Sequence, residues 1–142
     1  MYRDMYVRNL SGRELIIEGS NGTDFDNSIP VNAGIPSDSP NFRIGHIGEP
    51  RSGETNHWGW IYLKTKTDDQ PARWTKLVLY MFVHNSHLKD DNCYAGFRQG
   101  ADVQIGGNPA LCESMIASAR QTINENENHR KGGDFQFTIY RF

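Results

Sequence analysis

The chain has no long hydrophobic run. None of its segments approaches the length needed to cross a bilayer, and the N-terminal stretch MYRDMYVRNL lacks the apolar core of a secretory signal peptide. We therefore expect a soluble protein that is made in the cytoplasm, and its release from the cell would need a route without a leader. The two Asn-x-Ser/Thr sequons, at Asn9 and Asn21, are then interpreted as chance matches.

Cysteine is also scarce. Cys93 and Cys112 are the only two in the chain, so one internal bridge is the maximum and a disulfide-stapled scaffold is excluded. We interpret both as reduced, structural thiols, the usual state of buried cysteine, while the sequence leaves open whether they are bridged.

Positive charge is neither abundant nor clustered along the sequence. Fifteen Lys and Arg residues against 17 Asp and Glu give a formal net charge of -2, and no basic run is present. This balance argues against electrostatic capture of nucleic acid or of a strongly anionic membrane. A lipid partner would have to be met through aromatic and polar contacts.

Catalytic and cofactor motifs are missing as well. The chain contains neither a nucleophile elbow nor a dinucleotide or phosphate-binding glycine motif, so we assign no catalytic residue and no cofactor. His84 and His87 precede Asp90, a spacing that would suit a metal, but turn chemistry explains the same residues better. An Asx-rich loop explains 21–27 better than a calcium site does, so no metal ligand is assigned. A small enzyme with His84 or His87 as base stays an alternative.

The chain length of 142 residues indicates one domain, 1–142, with a core that needs no metal or disulfide. Alternating apolar residues predict strands, and turn residues predict their connections. A Gly turn at Ser11–Gly12 predicts a hairpin of the first two strands. The predicted strands are 4–10, 14–18, one beginning near 42–44, 58–66, 74–85, one near 101–105 and one over 135–140, with a polar loop over 19–41 that holds a short strand at 29–31.

The periodicity changes after residue 107. Apolar residues at Leu111, Met115, Ile116, Ala119 and Ile123 trace one face of a helix within 108–131, and Gly132 can end it. The sequence therefore predicts a mainly β protein: an antiparallel two-layer β-sandwich with one amphipathic α-helix before the last strand.

The stretch NHWGWIYLK places large aromatic residues at every second position of a predicted strand. They form part of the core, or they form a surface for an apolar partner such as a lipid headgroup region or a sugar ring. Because Ile61 and Leu63 suffice to continue the core, we predict that Trp58 or Trp60 has a partly exposed ring. The candidate ligand-binding residues are Trp58, Trp60, Tyr62 and Trp74.

The order of several stretches is similar to that of the aegerolysins and related small β-sandwich proteins of bacterial insecticidal pairs. These stretches are MYVRNLSGRELIIE, GETNHWGWIYLK, TKLVLYMFVHNSHLKDDNCYAG and FQFTIYRF. The resemblance implies a leaderless, lipid-recognising protein, and many members act with a larger pore-forming partner. We therefore expect recognition of a membrane lipid or glycan surface, as one component of a cytolytic or insecticidal toxin. An inhibitor or immunity-type protein is the alternative, and the oligomeric state is left open.

Overall fold

The computed structural model describes residues 2–38, 40–66, 70–85, 91–97, 119–123 and 134–140. These residues form ten β-strands and, within the described ranges, no helix, so the fold is mainly β. The strands are β1 (Tyr2–Leu10), β2 (Leu15–Gly22), β3 (Phe25–Asn27), β4 (Gly34–Ile35), β5 (Phe42–Gly48), β6 (His57–Lys66), β7 (Trp74–Val83), β8 (Asn92–Phe97), β9 (Ala119–Ile123) and β10 (Phe135–Tyr140).

The strands form two five-stranded sheets. Sheet A has the order β3-β5-β1-β10-β9, and sheet B has the order β4-β2-β6-β7-β8. Neighbouring strands are antiparallel except for β1 and β10, which run parallel with Met5 opposite Phe135 and Leu10 opposite Tyr140. The expectation of antiparallel pairing therefore holds for both sheets apart from this one pair.

The core receives side chains from both sheets. Alternate residues of β1, β6 and β10 are buried, which is the period-2 pattern of a half-buried strand. The buried hydrophobic side chains form one cluster. Sheet A supplies Met5, Val7, Ile44, Ile47, Phe135, Phe137 and Ile139, and sheet B supplies Leu15, Ile17, Ile35, Ile61, Leu63, Leu77, Val78, Leu79, Met81, Val83, Cys93 and Ala95.

The strands with strong alternation lie where the sequence predicts them. The segments 58–66 and 74–85 correspond to β6 and β7, which pair antiparallel from His57 opposite Val83 to Lys66 opposite Trp74. The last predicted strand corresponds to β10, and its phenylalanines are buried as expected. The short strand predicted at 29–31 is absent from these described residues, whereas 19–41 contains the end of β2 and all of β3 and β4.

The predicted hairpin at Ser11–Gly12 is wrong, because β1 belongs to sheet A and β2 to sheet B. Gly12 has a positive φ of 81°, so the turn itself is present. Buried Asn9 holds the turn: its Nδ2 donates to the carbonyl oxygens of Arg13, at 2.6 Å, and Ile35, at 3.1 Å. The Ser11 hydroxyl donates to Asn9 Oδ1 at 2.6 Å. These bonds satisfy buried polar groups at a corner where the chain changes sheets.

The predicted helix is wrong over Ala119–Ile123. These residues form β9, which pairs antiparallel with β10, with Ile123 opposite Phe135 and Ala119 opposite Ile139. Ladder bonds to β10 outweigh the helical spacing of the apolar residues, since intrinsic preference is a weak guide when a strand offers an edge. The rest of 108–131, and the strand expected near 101–105, lie outside the described residues.

A buried ion pair joins the sheets near the start of β1. The Arg3 guanidinium contacts the carboxylate of Asp91, which directly precedes β8, and both side chains are only 2% exposed. Arg3 Nε also donates to Glu49 Oε1 at 3.3 Å. Burial lowers the pKa of Arg3, and Glu49 opposes that shift. The pair therefore compensates a charge that the interior would otherwise reject.

Candidate functional site

The outer face of sheet B carries a set of aromatic side chains. In β6, Ile61 and Leu63 are fully buried in the core, and the alternate residues are half-buried on the opposite face. In β7 two further aromatic residues are half-buried on that same face. We call Trp58, Trp60, Tyr62, Tyr80 and Phe82 the aromatic face. Its partial exposure agrees with the prediction for Trp58 and Trp60.

The register of β6 and β7 brings these rings together. Trp60 lies opposite Tyr80, and Trp58 lies opposite Phe82. The Trp60 and Tyr80 ring centroids are 4.7 Å apart, and Trp60 stacks on Tyr62 at 6.4 Å with an interplanar angle of 13°. Tyr80 lies 6.3 Å from Phe82. Such cross-strand and same-strand aromatic contacts stabilise a sheet and fix the orientation of each ring.

The aromatic face also has a structural role. Trp60, Tyr62 and Tyr80 pack against the buried cluster, which includes Val78 on the same face of β7. Burial raises the pKa of Tyr80 to about 12. The Tyr80 hydroxyl therefore keeps its proton at neutral pH and remains a hydrogen-bond donor. Each of these three rings therefore packs against the core on one side and is partly exposed to solvent on the other.

Beyond the aromatic face, the same surface becomes basic. Trp74, which begins β7, is 49% exposed and lies opposite Lys66. The Nζ atoms of Lys64 and Lys66 lie 4.7 and 5.3 Å from the centroid of the Trp74 ring, within cation–π range. Lys76 lies opposite Lys64 and donates to Glu18 Oε1 at 3.0 Å. We call Lys64, Lys66, Trp74 and Lys76 the basic end.

Of the predicted ligand-binding residues, Trp58, Trp60 and Tyr62 lie together, and Trp74 lies at the basic end of the same face. The lysines were missed because they are separated along the sequence. A signal for them existed: pairing the two predicted strands about their short connection places Lys64 opposite Lys76. The register of a hairpin is what turns scattered charges into a cluster.

The histidine and acidic candidates do not converge within the described residues. His84 packs against Phe82 at 4.7 Å, and its backbone N–H donates to Asp91 Oδ1, whereas His87, Asp90 and Cys112 lie outside those residues. In the described ranges no group of three or more His, Cys, Asp or Glu side chains is placed to hold a metal ion.

The acidic loop residues face two separate histidines. Asp24 Oδ2 lies 3.8 Å from His57 Nδ1, and Asp26 Oδ2 lies 3.8 Å from His46 Nδ1. Buried His57 also has Nδ1 at 2.6 Å from the carbonyl oxygen of Gly48. These carboxylates are therefore engaged with different strands and do not form one oxygen-rich cage.

The outer face of sheet A is polar. Arg43 Nε donates to Asp4 Oδ1 at 2.9 Å, Nη1 donates to the Ser28 hydroxyl at 3.0 Å, and Nη2 donates to His46 Nδ1 at 3.0 Å. Tyr2, 58% exposed, packs edge-on against the His46 ring at 4.5 Å. We call Tyr2, Asp4, Ser28, Arg43 and His46 the polar face. Arg43 links three of its side chains by hydrogen bonds.

Comparison with protein families, curated proteins and solved structures finds no match to this chain. Within the described residues, no helix combines the length and apolarity that crossing a membrane would require. The evidence on function therefore lies in the side chains themselves, and the aromatic face with its basic end is the most distinctive surface of the described residues.

Proposed function

We propose that this protein is a binding module that recognises a lipid headgroup region or a glycan through the aromatic face. We also propose that its sheets are the two layers of a β-sandwich, because their buried side chains form a single cluster. The observation that carries the function is the partial exposure of five neighbouring rings on a strand pair whose inner side chains already fill the core. A contiguous exposed aromatic surface is typical of a contact site.

The tryptophan and tyrosine side chains favour a partner that has both an apolar surface and hydrated polar groups. Tryptophan and tyrosine combine an apolar body with a polar tip, which suits the boundary between lipid and water or the hydroxyl-rimmed face of a sugar ring. Trp60 is held by Tyr62 and Tyr80, so it is oriented before any ligand arrives. A pre-oriented ring loses little conformational entropy on binding, which favours affinity.

The aegerolysin-like layout extends the proposal. Proteins of that kind recognise lipids and many act with a larger pore-forming partner, so we propose that this chain supplies the recognition step of a cytolytic or insecticidal pair. The aromatic face would then contact the target surface, and the pore would be formed by the second protein.

Trp60→Ala tests the proposal, with Tyr2→Ala as a matched control on the polar face. Wild-type and variant proteins are compared by co-sedimentation with vesicles and on a glycan array. We expect Trp60→Ala to weaken binding at least tenfold, about 1.4 kcal/mol, and Tyr2→Ala to leave it unchanged. Near-ultraviolet circular dichroism checks that both variants are folded.

Two results would contradict this function. The first is folded wild-type protein that binds neither vesicles nor glycans. The second is a stoichiometric complex with another protein that forms without lipid or sugar and survives Trp60→Ala. The second result would favour the inhibitor or immunity-type alternative.

A further inference from the structure

We infer that the surface recognised by the aromatic face is an anionic lipid bilayer, with the basic end at the level of the headgroup phosphates and carboxylates. This inference rests on the proposed function and narrows it to one partner. Four observations carry it: the order of side chains along β6, the local charge, the ring at the basic end and the extended layout of the contact groups.

The outward residues of β6 change character along the strand. Trp58, Trp60 and Tyr62 come first, and Lys64 and Lys66 follow. The eight residue steps from Trp58 to Lys66 span about 26 Å, so the aromatic and basic groups form one extended strip. Lys76 and Trp74 extend the basic part onto β7. A strip with aromatic rings at one end and ammonium groups at the other matches the composition of membrane-interface surfaces.

The local charge differs from that of the whole chain. The chain has a formal net charge of -2, yet three lysines meet at this end. Lys76 is paired with Glu18, whereas no carboxylate of the described residues pairs with Lys64 or Lys66. The next acidic residues along the sequence, Asp68 and Asp69, lie outside those residues. Two lysines near an anionic leaflet correspond to about a 30-fold gain in binding.

The basic end also contains an exposed aromatic ring, the indole of Trp74. Its indole is half-exposed and has the Lys64 and Lys66 ammonium groups over it. The pairing holds the two charges on the same outer surface as the aromatic face. Lysine stems that lie along an apolar ring while their ammonium groups reach polar surroundings are typical of side chains at a membrane surface.

The arrangement fits a bilayer better than a soluble anion. A small anion is usually bound by donors that converge on one point in a concave site. Here the rings and lysines are spread along two antiparallel strands, so they can contact many headgroups at once. The absence of a basic run in the sequence argued against an anionic membrane, and the β6–β7 register changes that conclusion locally.

The experiment compares vesicles of phosphatidylcholine alone with vesicles that also contain phosphatidylserine. The test variant is Lys64→Gln/Lys66→Gln. The control, Arg8→Gln/Arg51→Gln, removes the same formal charge from exposed positions that are not part of the strands of sheet B. We expect wild type and control to bind the anionic vesicles about 30-fold more tightly at low salt. We expect the lysine variant to lose most of this preference, and high salt to reduce it for every protein.

Neutralising the neighbouring carboxylates sharpens the test. Asp68→Asn/Asp69→Asn removes two negative charges close in sequence to Lys66. Stronger binding of this variant to anionic vesicles supports the inference. Weaker binding overturns it, because the basic end would then depend on those carboxylates.

The outcomes separate this inference from the proposed function. If wild type binds both kinds of vesicle equally and Trp60→Ala weakens both, the anionic preference is wrong and the proposed function stands. If wild type binds an anionic polysaccharide such as heparin but no vesicle, the bilayer is wrong and the aromatic face remains the site. If folded wild type binds no vesicle and no glycan, both proposals fail.

Discussion

The two sheets cover one core, yet the surfaces that they turn away from it are built differently. On sheet A, Arg43 donates to Asp4, Ser28 and His46, so hydrogen bonds link the side chains of the polar face. On sheet B, the aromatic face presents partly exposed rings that pack side by side along β6 and β7. Sheet A shows that this core can be covered by a polar outer surface. The proposed binding function would account for the aromatic character of the outer face of sheet B.

The largest expected effect is the loss of folding stability when an inward side chain of β6, rather than an outward one, is truncated. Ile61→Ala removes a fully buried side chain, and we expect a loss of about 3 kcal/mol in the free energy of unfolding, within the range for core truncations. Trp60→Ala removes a half-buried ring, and we expect about 1–2 kcal/mol, roughly half the value of a fully buried side chain plus its ring contacts. Urea denaturation of both variants measures the difference.

Equal losses of stability in Trp60→Ala and Ile61→Ala would contradict the contrast between the two outer faces. If Trp60→Ala costs as much as Ile61→Ala, the rings are core in energetic terms, and the contrast between the outer faces concerns stability alone. Ile61→Val provides an intermediate control, with an expected loss of about 1 kcal/mol.

A smaller effect is expected on the polar face. Arg43→Ala removes an ion pair between side chains that are 41% and 38% exposed, so we expect at most about 1 kcal/mol of stability to be lost. Vesicle and glycan binding should not change. A double-mutant cycle with Asp4→Ala isolates the pair. A loss of binding in Arg43→Ala would show that the polar face belongs to the recognition surface.

A further effect concerns alkaline pH. Because the pKa of Tyr80 is raised to about 12, the unfolded chain, with a tyrosine pKa of about 10, loses this proton first as pH rises. The unfolded state then binds fewer protons than the folded state, so stability falls between about pH 10 and 12. Tyr80→Phe should lower that slope, measured by urea denaturation at neutral pH and near pH 11.

A variant on the same face serves as the control for this slope. Phe82→Leu perturbs the aromatic face without removing an ionisable group, so it should shift stability equally at both pH values. A Tyr80→Phe protein with the same slope as wild type would show that the Tyr80 phenol is more hydrated than its packing indicates.

The parts of the fold that the sequence predicts are those with a local cause. Alternation gives β6 and β10, whose inner faces are buried in the core, and a continuous apolar run gives β7. Counting faces also gives the direction of Trp58 and Trp60: Ile61 and Leu63 already supply the inward side. The sequence therefore predicts that the tryptophans of the aromatic face lie on the outer side of β6.

The remaining features depend on partners far along the chain. Ser11–Gly12 is a turn signal, but a turn does not decide whether its flanking strands pair, and Asn9 bonds to the distant Ile35 carbonyl. Ala119 and Ile123 fit a helical period, yet the β10 edge makes them a strand. The basic end depends on the register of two strands, since the lysines of β6 and β7 meet only after pairing.

The corner at Asn9 has a practical consequence for producing the protein. Asn9 opens an Asn-x-Ser sequon, but its side chain is 0% exposed and its amide nitrogen donates hydrogen bonds to the carbonyl oxygens of Arg13 and Ile35. A eukaryotic secretory host glycosylates chains as they emerge, before such a residue is buried, and the attached sugar could not enter this corner. Substituting Asn9 or Ser11 would break the same hydrogen bonds. A host without N-glycosylation is therefore the appropriate source, and material secreted from yeast or insect cells should carry sugar at Asn9 only on misfolded chains.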